Sequence, residues 1–301
     1  MIEAVGSSDS PLRPGDKVLL SFTSCGACAG CRGGHPAYCE SWLARNLIAG
    51  SRDDGSATIH RDGTRLGGRF FGQSSFAQHA IVDERSVVPV SEDAPLEVLA
   101  PLGCGVQTGC GTVWNLLAPR PGTTLTVIGT GAVGLSAVMA AALSPVERII
   151  AVDRVPERLA LARELGATAT VDTSAEELEP AVRELTGSRG TDYAIDTTGN
   201  PAVLRAAVDA LAVRGKCAVV GAPPLGTEVS LDIQGLLIGK RVEGVTLGDG
   251  EPRTLLPQLV ELHRQGRLPL ERLIRHYPLE QLEQAAADMH EGRTIKPVVV
   301  F

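Results

Sequence analysis

Between residues 125 and 248, short apolar runs alternate with longer stretches in which apolar positions recur at helical spacing. The apolar runs predict strands at LTVI, RIIAVD, ATVDT, YAIDTTG, CAVVGAPP and RVEGVTLG. Helices are predicted between them, for example at PERLALARELG and PAVLRAAVDALAVRG. The first of these carries Pro156 near its first turn and stops at Gly166, as helix ends usually do. Regular alternation of strand and helix predicts an α/β fold with a doubly wound parallel sheet.

The pattern changes on both sides of this segment. Residues from about Met1 to Ala80 are rich in glycine and turn residues, with strand-like runs at DKVLLSF and SSFAQHAIV. The C-terminal part, from EPRTLLPQLVELHRQG to KPVVVF, predicts a helix, a second helix and a strand. These flanking parts are therefore expected to form a domain of a different kind.

Composition narrows the class of protein. The 301 residues are 44% hydrophobic and 21% charged, which is enough apolar material for a large core and for two domains. A net charge of -7 without any basic tract argues against a nucleic-acid partner. The start, MIEAVGSSDSPLRPGDKV, lacks the features of a signal peptide, and glycines interrupt the most apolar stretch, TLTVIGTGAVGLSAVMAAALSP. We therefore expect a cytoplasmic protein whose thiols stay reduced.

One short stretch, CGACAGCRGGHPAYC, holds four of the seven cysteines: Cys25, Cys28, Cys31 and Cys39. A reducing compartment argues against disulfides, which leaves a redox pair or a metal site. The spacing C-x2-C-x2-C-x7-C lets four thiolates turn toward one point, and this suits zinc or an iron–sulfur cluster. Seven residues precede the last cysteine and Glu40 follows it, unlike the bacterial ferredoxin run, so we favour zinc. Four cysteine ligands leave no open position, and such a zinc is expected to be structural.

A glycine-rich turn, Gly129-x-Gly131-x-x-Gly134, follows the first predicted strand of the α/β segment. Its place between a strand and an Ala-rich helix is typical of dinucleotide binding, where the glycines permit a tight turn, close approach of pyrophosphate and close packing. The next strand, RIIAVD, ends at Asp153, which is placed to accept hydrogen bonds from a ribose diol and to repel a 2′-phosphate. We therefore predict NAD rather than NADP, although the positive charge of the adjacent Arg154 reduces the repulsion of a 2′-phosphate. A glycine-rich turn that binds nothing is the alternative.

Together these motifs resemble the zinc-dependent medium-chain alcohol dehydrogenase family. The resemblance covers essentially the whole chain and is carried, in the family's order, by PGDKVLLSF, the cysteine stretch, LGCGVQTGCG, VIGTGAVG, AVDRVPERLALARELGAT, IDTTGN, VVGAPP and IKPVVVF. Two stretches, SFTSCGACAGCRGGHPAYC and GDGEPRTLLPQLVELHRQGRLPLERLIRHYPLEQ, are most similar to the aryl-alcohol (benzyl-alcohol type) dehydrogenases. The resemblance implies a GroES-like β domain at residues 1–105 and 246–301, with a zinc lobe at 25–39. It also implies an NAD-binding Rossmann domain at residues 106–245.

The resemblance further implies roles for single residues. Cys104, in LGCGVQT, matches a ligand of the family's catalytic zinc; taken alone, it is equally well explained as a buried thiol. Thr108 matches a threonine near the nicotinamide. Arg158 matches a basic residue near the adenosine ribose, and Lys296 matches one that meets the pyrophosphate. Without the resemblance, both would be taken as surface charges.

The chain departs from the family pattern at its first residues, MIEAVGSSDSPLRPGD. The family's early zinc-binding cysteine, its proton relay and its Gly-His-Glu histidine have no match. None of the histidines is expected to substitute: His35, His60, His79, His263, His276 and His290. Either the start is assigned too late, which we favour, or the gene is truncated. We therefore expect a GroES-like domain without its first strands and no alcohol oxidation by residues 1–301 alone.

The two remaining cysteines, Cys110 and Cys217, are expected in the core.

The family's reaction is the reversible oxidation of a primary alcohol to an aldehyde, with hydride transfer to NAD and zinc acting as a Lewis acid on the alcohol oxygen. The resemblance thus implies a cytoplasmic, NAD-linked zinc enzyme for a small, aromatic alcohol. A homo-oligomer is expected, without nucleic-acid or membrane partners. Two alternatives stay open: a catalytically incomplete NAD-binding fragment, and a thiol-linked formaldehyde dehydrogenase of the same family.

Overall fold

The computed structural model describes residues 1–48, 50–52 and 54–301. The chain divides into two compact units. The split unit combines Met1–Cys104 with Gly250–Phe301, and the continuous unit is Gly105–Asp249. The boundaries expected from the sequence lie one residue from the first of these divisions and four residues from the second.

Strands and helices occur in both units. The strands are β1 (Val18–Leu20), β2 (Ile59–Arg61), β3 (Thr64–Leu66), β4 (Val87–Pro89), β5 (Thr124–Ile128), β6 (Arg148–Asp153), β7 (Ala169–Asp172), β8 (Thr191–Asp196), β9 (Leu211–Val219), β10 (Arg241–Gly244), β11 (Ile274–Pro278) and β12 (Lys296–Val300). The α-helices are α1 (Ala29–Arg32), α2 (Leu96–Leu99), α3 (Gly105–Gly111), α4 (Ala132–Ala142), α5 (Pro156–Glu164), α6 (Leu178–Leu185), α7 (Pro201–Asp209), α8 (Ile233–Leu237), α9 (Pro252–Arg264) and α10 (Leu282–His290).

Short helical segments of other types connect these elements. Segments of 3-10 helix lie at Pro36–Tyr38, Phe70–Gly72, Glu84–Ser86, Ala100–Gly103, Leu247–Asp249, Leu270–Arg272 and Leu279–Gln281. Segments of π-helix lie at Ala44–Ile48 and Thr112–Leu117. None of the helices in the described part of the chain has both the length and the apolar character that crossing a membrane requires.

The continuous unit is built on one six-stranded parallel sheet with the strand order β10-β9-β8-β5-β6-β7. This order is that of the doubly wound Rossmann sheet, so the predicted fold class is confirmed. Consecutive strands run outward from β5 on one side and from β8 on the other. In such sheets the crevice at the carboxyl ends of the two central strands is where ligands bind.

Burial of both faces explains why these strands are apolar. All five residues of β5 are buried, as are the last five of β6. The helices cover the sheet with one apolar face, as in α6, where Leu178, Ala181 and Val182 are buried and Glu184 is exposed. Fully burying a side chain such as Ile150 or Ile195 stabilises the fold by about 1.5–3 kcal/mol.

One predicted helix is shorter than its pattern indicated. The stretch PAVLRAAVDALAVRG was expected to be helical throughout, but α7 ends at Asp209 and β9 begins at Leu211. Leu211 pairs with Thr191 of the neighbouring strand, and its side chain is buried. Alanine and valine in this run are compatible with a helix or with a strand. Pairing and burial in the sheet therefore decide the outcome against the helical periodicity.

The described residues of the split unit form three small two-stranded sheets: β1 with β4, antiparallel; β2 with β3, antiparallel; and β11 with β12, parallel. The strand expected at SSFAQHAIV is wrong, because residues 74–82 have no strand conformation and Phe76 and Ile81 are exposed. A strand requires a pairing partner, which this run does not have among the described residues. The C-terminal part also contains β11 between its two helices, which the sequence pattern did not indicate.

Candidate functional site

The four clustered cysteines converge. The Sγ atoms of Cys25, Cys28, Cys31 and Cys39 all lie within 4.8 Å of one another. Helix α1 begins directly after Cys28 and carries Cys31, and the 3-10 turn at Pro36–Tyr38 returns the chain to Cys39. Within the described residues, this is the only group of three or more side chains with metal-binding atoms at such distances. Four soft sulfur ligands at this spacing fit a closed tetrahedral zinc site.

Backbone donors favour the thiolate form that a metal requires. The N–H groups of Ala27 and Cys28 donate to Cys25 Sγ over 3.4 and 3.3 Å, and the N–H of Cys25 donates to Cys39 Sγ over 3.3 Å. The hydrogen bond from Ala27, followed by that from Cys28, lowers the pKa of Cys25 to about 6. Burial, with the neighbouring Cys28 thiol, raises the pKa of Cys31 to about 11. Within the cluster, the hydrogen bonds therefore favour the ionised form at Cys25, while burial favours the neutral form at Cys31.

The glycine-rich turn lies between β5 and α4, at the carboxyl end of a central strand. Gly129 has a φ of +85°, which favours glycine. A Cβ on Gly134 would lie 1.8 Å from the carbonyl oxygen of Gly129, so helix and turn pack too closely for any side chain. A Cβ on Gly131 would meet nothing within 4 Å. The structure therefore leaves open space beside Gly131, where a ligand can approach the backbone.

Asp153 ends β6 beside this turn, and it is buried. Its Oδ2 accepts hydrogen bonds from the N–H and the hydroxyl of Thr130, over 2.6 and 2.7 Å. Its Oδ1 accepts from the N–H groups of Arg154 and Val155, over 2.8 and 3.1 Å. The predicted ribose-binding carboxylate and the glycine turn are thus linked directly.

Two arginines follow Asp153 in the chain. Arg154 is exposed, whereas Arg158 on α5 is half-buried. The Nε of Arg158 is buried and has no hydrogen-bond partner among the residues the structure describes. A buried donor of this kind is costly unless something pairs with it, so Arg158 has donor capacity for an acceptor outside the described chain.

The other residues singled out in the sequence lie in both units. Cys104 lies at the end of the 3-10 turn Ala100–Gly103 and is exposed. The neighbouring atoms nevertheless shield its thiol from water, which raises the thiol pKa, and the positive charge of Lys296 offsets only part of this increase. No set of three candidate metal ligands in the described chain includes Cys104. Thr108 is buried on α3, and its carbonyl accepts a hydrogen bond from Thr112. Both remaining cysteines are fully buried, as expected: Cys110 and Cys217.

Two residues beside the turn were not found from the sequence. Thr130 occupies a position that the glycine pattern leaves unspecified, and only the structure shows its bonds to Asp153. Asp196 ends β8 next to β5; it is fully buried, its Oδ1 accepts from Thr198, and its Oδ2 has no partner in the described chain. Burial raises the pKa of Asp196. An acid ending an apolar run, as in YAIDTTG, was the available signal.

Comparison with known families gives two matches. The family described as "Alcohol dehydrogenase GroES-like domain" matches residues 1–92, and that described as "Zinc-binding dehydrogenase" matches residues 132–262. Together they confirm the expected pairing of a GroES-like domain with a Rossmann domain. The first match includes the four-cysteine cluster, and the second begins within the glycine-rich turn.

Individual proteins extend the comparison over the whole chain. Geraniol dehydrogenase of Castellaniella defragrans is 39% identical over 302 residues, which cover 100% of this chain and 81% of that protein. An alcohol dehydrogenase zinc-binding domain protein from Burkholderia ambifaria has a crystal structure with a TM-score of 0.94 and 49% identity, covering 99% of this chain and 80% of that one. Benzyl alcohol dehydrogenase from Acinetobacter calcoaceticus gives a TM-score of 0.93 and 42% identity, with coverages of 99% and 80%. This chain thus spans about four fifths of the length of these proteins.

Proposed function

The chain belongs to the zinc-dependent medium-chain alcohol dehydrogenase family and is an oxidoreductase, and from this premise we propose that it oxidises a primary aromatic alcohol to the aldehyde with NAD. The observation that supports NAD most directly is the Gly129–Gly134 turn with Asp153 beside it. The proposal of an aromatic alcohol is supported by similarity to a protein named benzyl alcohol dehydrogenase, while the similarity to a geraniol dehydrogenase supports a primary alcohol more generally.

The proposed NAD site uses residues of the continuous unit. The open space at Gly131 would admit the pyrophosphate to the backbone, and the N-terminus of α4, an eleven-residue helix, would favour its negative charge. Asp153 would accept a ribose hydroxyl, and Arg158 would offer its buried Nε nearby. Bound NAD supplies the carbon that accepts the hydride. By family resemblance, Thr108 would lie near the nicotinamide and Lys296 near the pyrophosphate.

The metal assignments differ between the two candidate sites. Cys25, Cys28, Cys31 and Cys39 would hold a zinc with no position left for substrate, so this metal would support the fold of the lobe. Cys104 is proposed as a ligand of a second, catalytic zinc on the basis of the family match alone. The described residues do not complete that second site, and we therefore derive no reaction step from it.

A homo-oligomer is proposed from the edge of the parallel sheet. The edge strand β10 is exposed along all four residues. Apolar side chains on and beside it are also exposed, among them Val242, Ile233 and Leu237. An exposed edge strand with apolar neighbours is a surface that another chain can cover.

Calorimetry with NADH and NADPH tests the cofactor. We expect tighter binding of NADH, and we expect Asp153→Ala to narrow the difference, because the carboxylate that selects against a 2′-phosphate is lost. Asp192→Ala is the matched control, since Asp192 lies near the amino end of β8, whereas Asp153 lies at the carboxyl end of β6 in the same parallel sheet. Equal affinities for the two nucleotides in the unmodified protein would contradict the assignment of NAD.

Spectrophotometry tests the substrate class. Formation of NADH is followed with benzyl alcohol, geraniol, ethanol and a thiol adduct of formaldehyde. We expect the highest kcat/KM with benzyl alcohol in a protein whose catalytic zinc site is complete, whereas residues 1–301 alone are expected to bind NADH without oxidising alcohol. A preference for the thiol adduct would support the alternative of a thiol-linked formaldehyde dehydrogenase, and binding of NADH without turnover of any alcohol would support the catalytically incomplete alternative.

A further inference from the structure

Thr130 directs two donors at a single oxygen of Asp153. Its N–H lies 2.6 Å and its hydroxyl 2.7 Å from Asp153 Oδ2. Thr130 is fully buried and Asp153 is 9% exposed. The other oxygen, Oδ1, already accepts from the N–H groups of Arg154 and Val155. The carboxylate therefore has four donors from the protein itself.

A carboxylate offers about four acceptor positions in total. A ribose diol that donates to Asp153 must therefore compete with a donor that is already present. Three of the four donors are backbone N–H groups, which the glycine turn and the end of β6 hold in place. The hydroxyl of Thr130 is the one donor that can rotate away without moving the backbone.

We propose that the Thr130 hydroxyl is a placeholder for the cofactor, bonded to Asp153 Oδ2 in the empty protein and displaced by a ribose hydroxyl when NAD or NADH binds. The inference rests on the proposed function, because it requires a nucleotide with a free ribose diol. Without the hydroxyl, Asp153 Oδ2 would keep only the N–H of Thr130 as a donor, and an acceptor position of a buried carboxylate would be left unfilled at a cost, so the hydroxyl stabilises the empty protein. By linkage, the same free energy weakens nucleotide binding.

The placeholder bears on nucleotide release and on nucleotide choice. It weakens binding of NADH without removing any contact that the bound nucleotide would make, and product release limits the rate of many enzymes. A 2′-phosphate brings an acceptor and no ribose 2′-hydroxyl, so it cannot replace the threonine in the same way. We assign the displacement to the ribose 2′-hydroxyl, which NADPH lacks although it keeps the 3′-hydroxyl, so the threonine acts on NADH affinity and leaves NADPH affinity unchanged.

The test compares Thr130→Val, which keeps the shape and loses the hydroxyl, with Thr130→Ser, which keeps the hydroxyl. We expect Thr130→Val to bind NADH about tenfold more tightly, since one hydrogen bond to a charged group no longer has to be broken. NADPH affinity should not change, and Thr130→Ser should behave as the unmodified protein does. In an Asp153→Ala background, Thr130→Val should have no effect on NADH affinity.

Thermal unfolding supplies a readout that does not depend on activity. Thr130→Val should melt at a lower temperature than the unmodified protein when empty, and the difference should vanish at saturating NADH. Unchanged or weaker NADH binding by Thr130→Val, or a melting difference that persists with NADH, would overturn the placeholder. Thr130→Ala provides the same comparison should the valine variant fail to fold. Equal NADH and NADPH affinities in the unmodified protein would instead overturn the proposed function.

Discussion

Gly131 and Gly134 lie one helical turn apart, and an added methyl group should have opposite consequences at the two positions. At Gly134 the new Cβ would lie 1.8 Å from the carbonyl oxygen of Gly129, which is 1.6 Å short of the 3.4 Å at which ordinary contact begins. Both sides of this contact are backbone, so neither can give way cheaply. At Gly131 the Cβ would meet nothing within 4 Å, and the φ of -74° suits any residue.

The expected magnitudes follow from these distances. Overpacking costs about 1–3 kcal/mol, and we expect Gly134→Ala to reach or exceed the upper value, about 3 kcal/mol, because backbone must move. The gain of about 1 kcal/mol that alanine usually gives inside a helix does not offset this. At about 2–4 °C per kcal/mol, melting should fall by about 6–12 °C. Gly131→Ala loses a glycine helix cap, which costs about 1 kcal/mol or about 2–4 °C.

The two variants differ in the opposite sense in nucleotide binding: Gly131→Ala, which is the milder change for stability, should be the more harmful one for NADH affinity. In Gly131→Ala the methyl group fills the space through which the pyrophosphate would reach the backbone, so NADH affinity should fall by about tenfold or more. We would measure thermal unfolding and NADH fluorescence titrations on the same preparations. If Gly131→Ala bound NADH as the unmodified protein does, the open space would not be a phosphate cradle. A Gly134→Ala variant with unchanged melting would refute the packing argument.

Two further predictions concern the buried acid and the cysteine cluster. Because burial raises the pKa of Asp196 above its ordinary value of 3.8, the stability associated with its protonated form is fully present below that pH and is lost as pH rises through the folded-state pKa. Asp196→Asn should therefore gain stability relative to the unmodified protein between pH 4 and pH 8 in guanidinium titrations; a difference independent of pH would contradict this. Cys39→Ser should lower bound zinc from about one per chain to near zero by elemental analysis, whereas the exposed Cys104→Ser should leave the cluster zinc in place. Retention of zinc by Cys39→Ser would refute the four-cysteine site.

The sequence was most informative where one short segment carries the whole signal. The central strands of the parallel sheet are buried along almost their whole length, and β6 appears in the sequence as an uninterrupted apolar run from Ile149 to Val152. The four clustered cysteines fall within fifteen residues, and a helical turn and a 3-10 turn suffice to bring Cys25 and Cys39 together. Local spacing therefore predicted both the α/β fold and the cluster.

The sequence was least informative where residues far apart meet. Thr130 and Asp153 are separated by 23 positions and lie at the ends of different strands, and no spacing rule joins them. The end of α7 depends on the pairing of Leu211 with Thr191, which competes with a helical pattern in the same residues. The unpaired Nε of Arg158 depends on which groups surround α5 in space. These features arise from tertiary contacts.

The discontinuity of the split unit has a consequence for synthesis of the protein. The continuous unit, Gly105–Asp249, is complete once its last residue has left the ribosome, and its parallel sheet contains only segments from within that range. The split unit cannot close until Gly250–Phe301 has followed, because strands β11 and β12 and helix α9 belong to it. Residues 1–104 therefore cannot complete their folding until late in translation, after the continuous unit has been synthesised. We expect a nascent chain arrested just after Asp249 has left the ribosome to protect the continuous unit from protease and to leave the segments that flank the cysteine cluster open to cleavage.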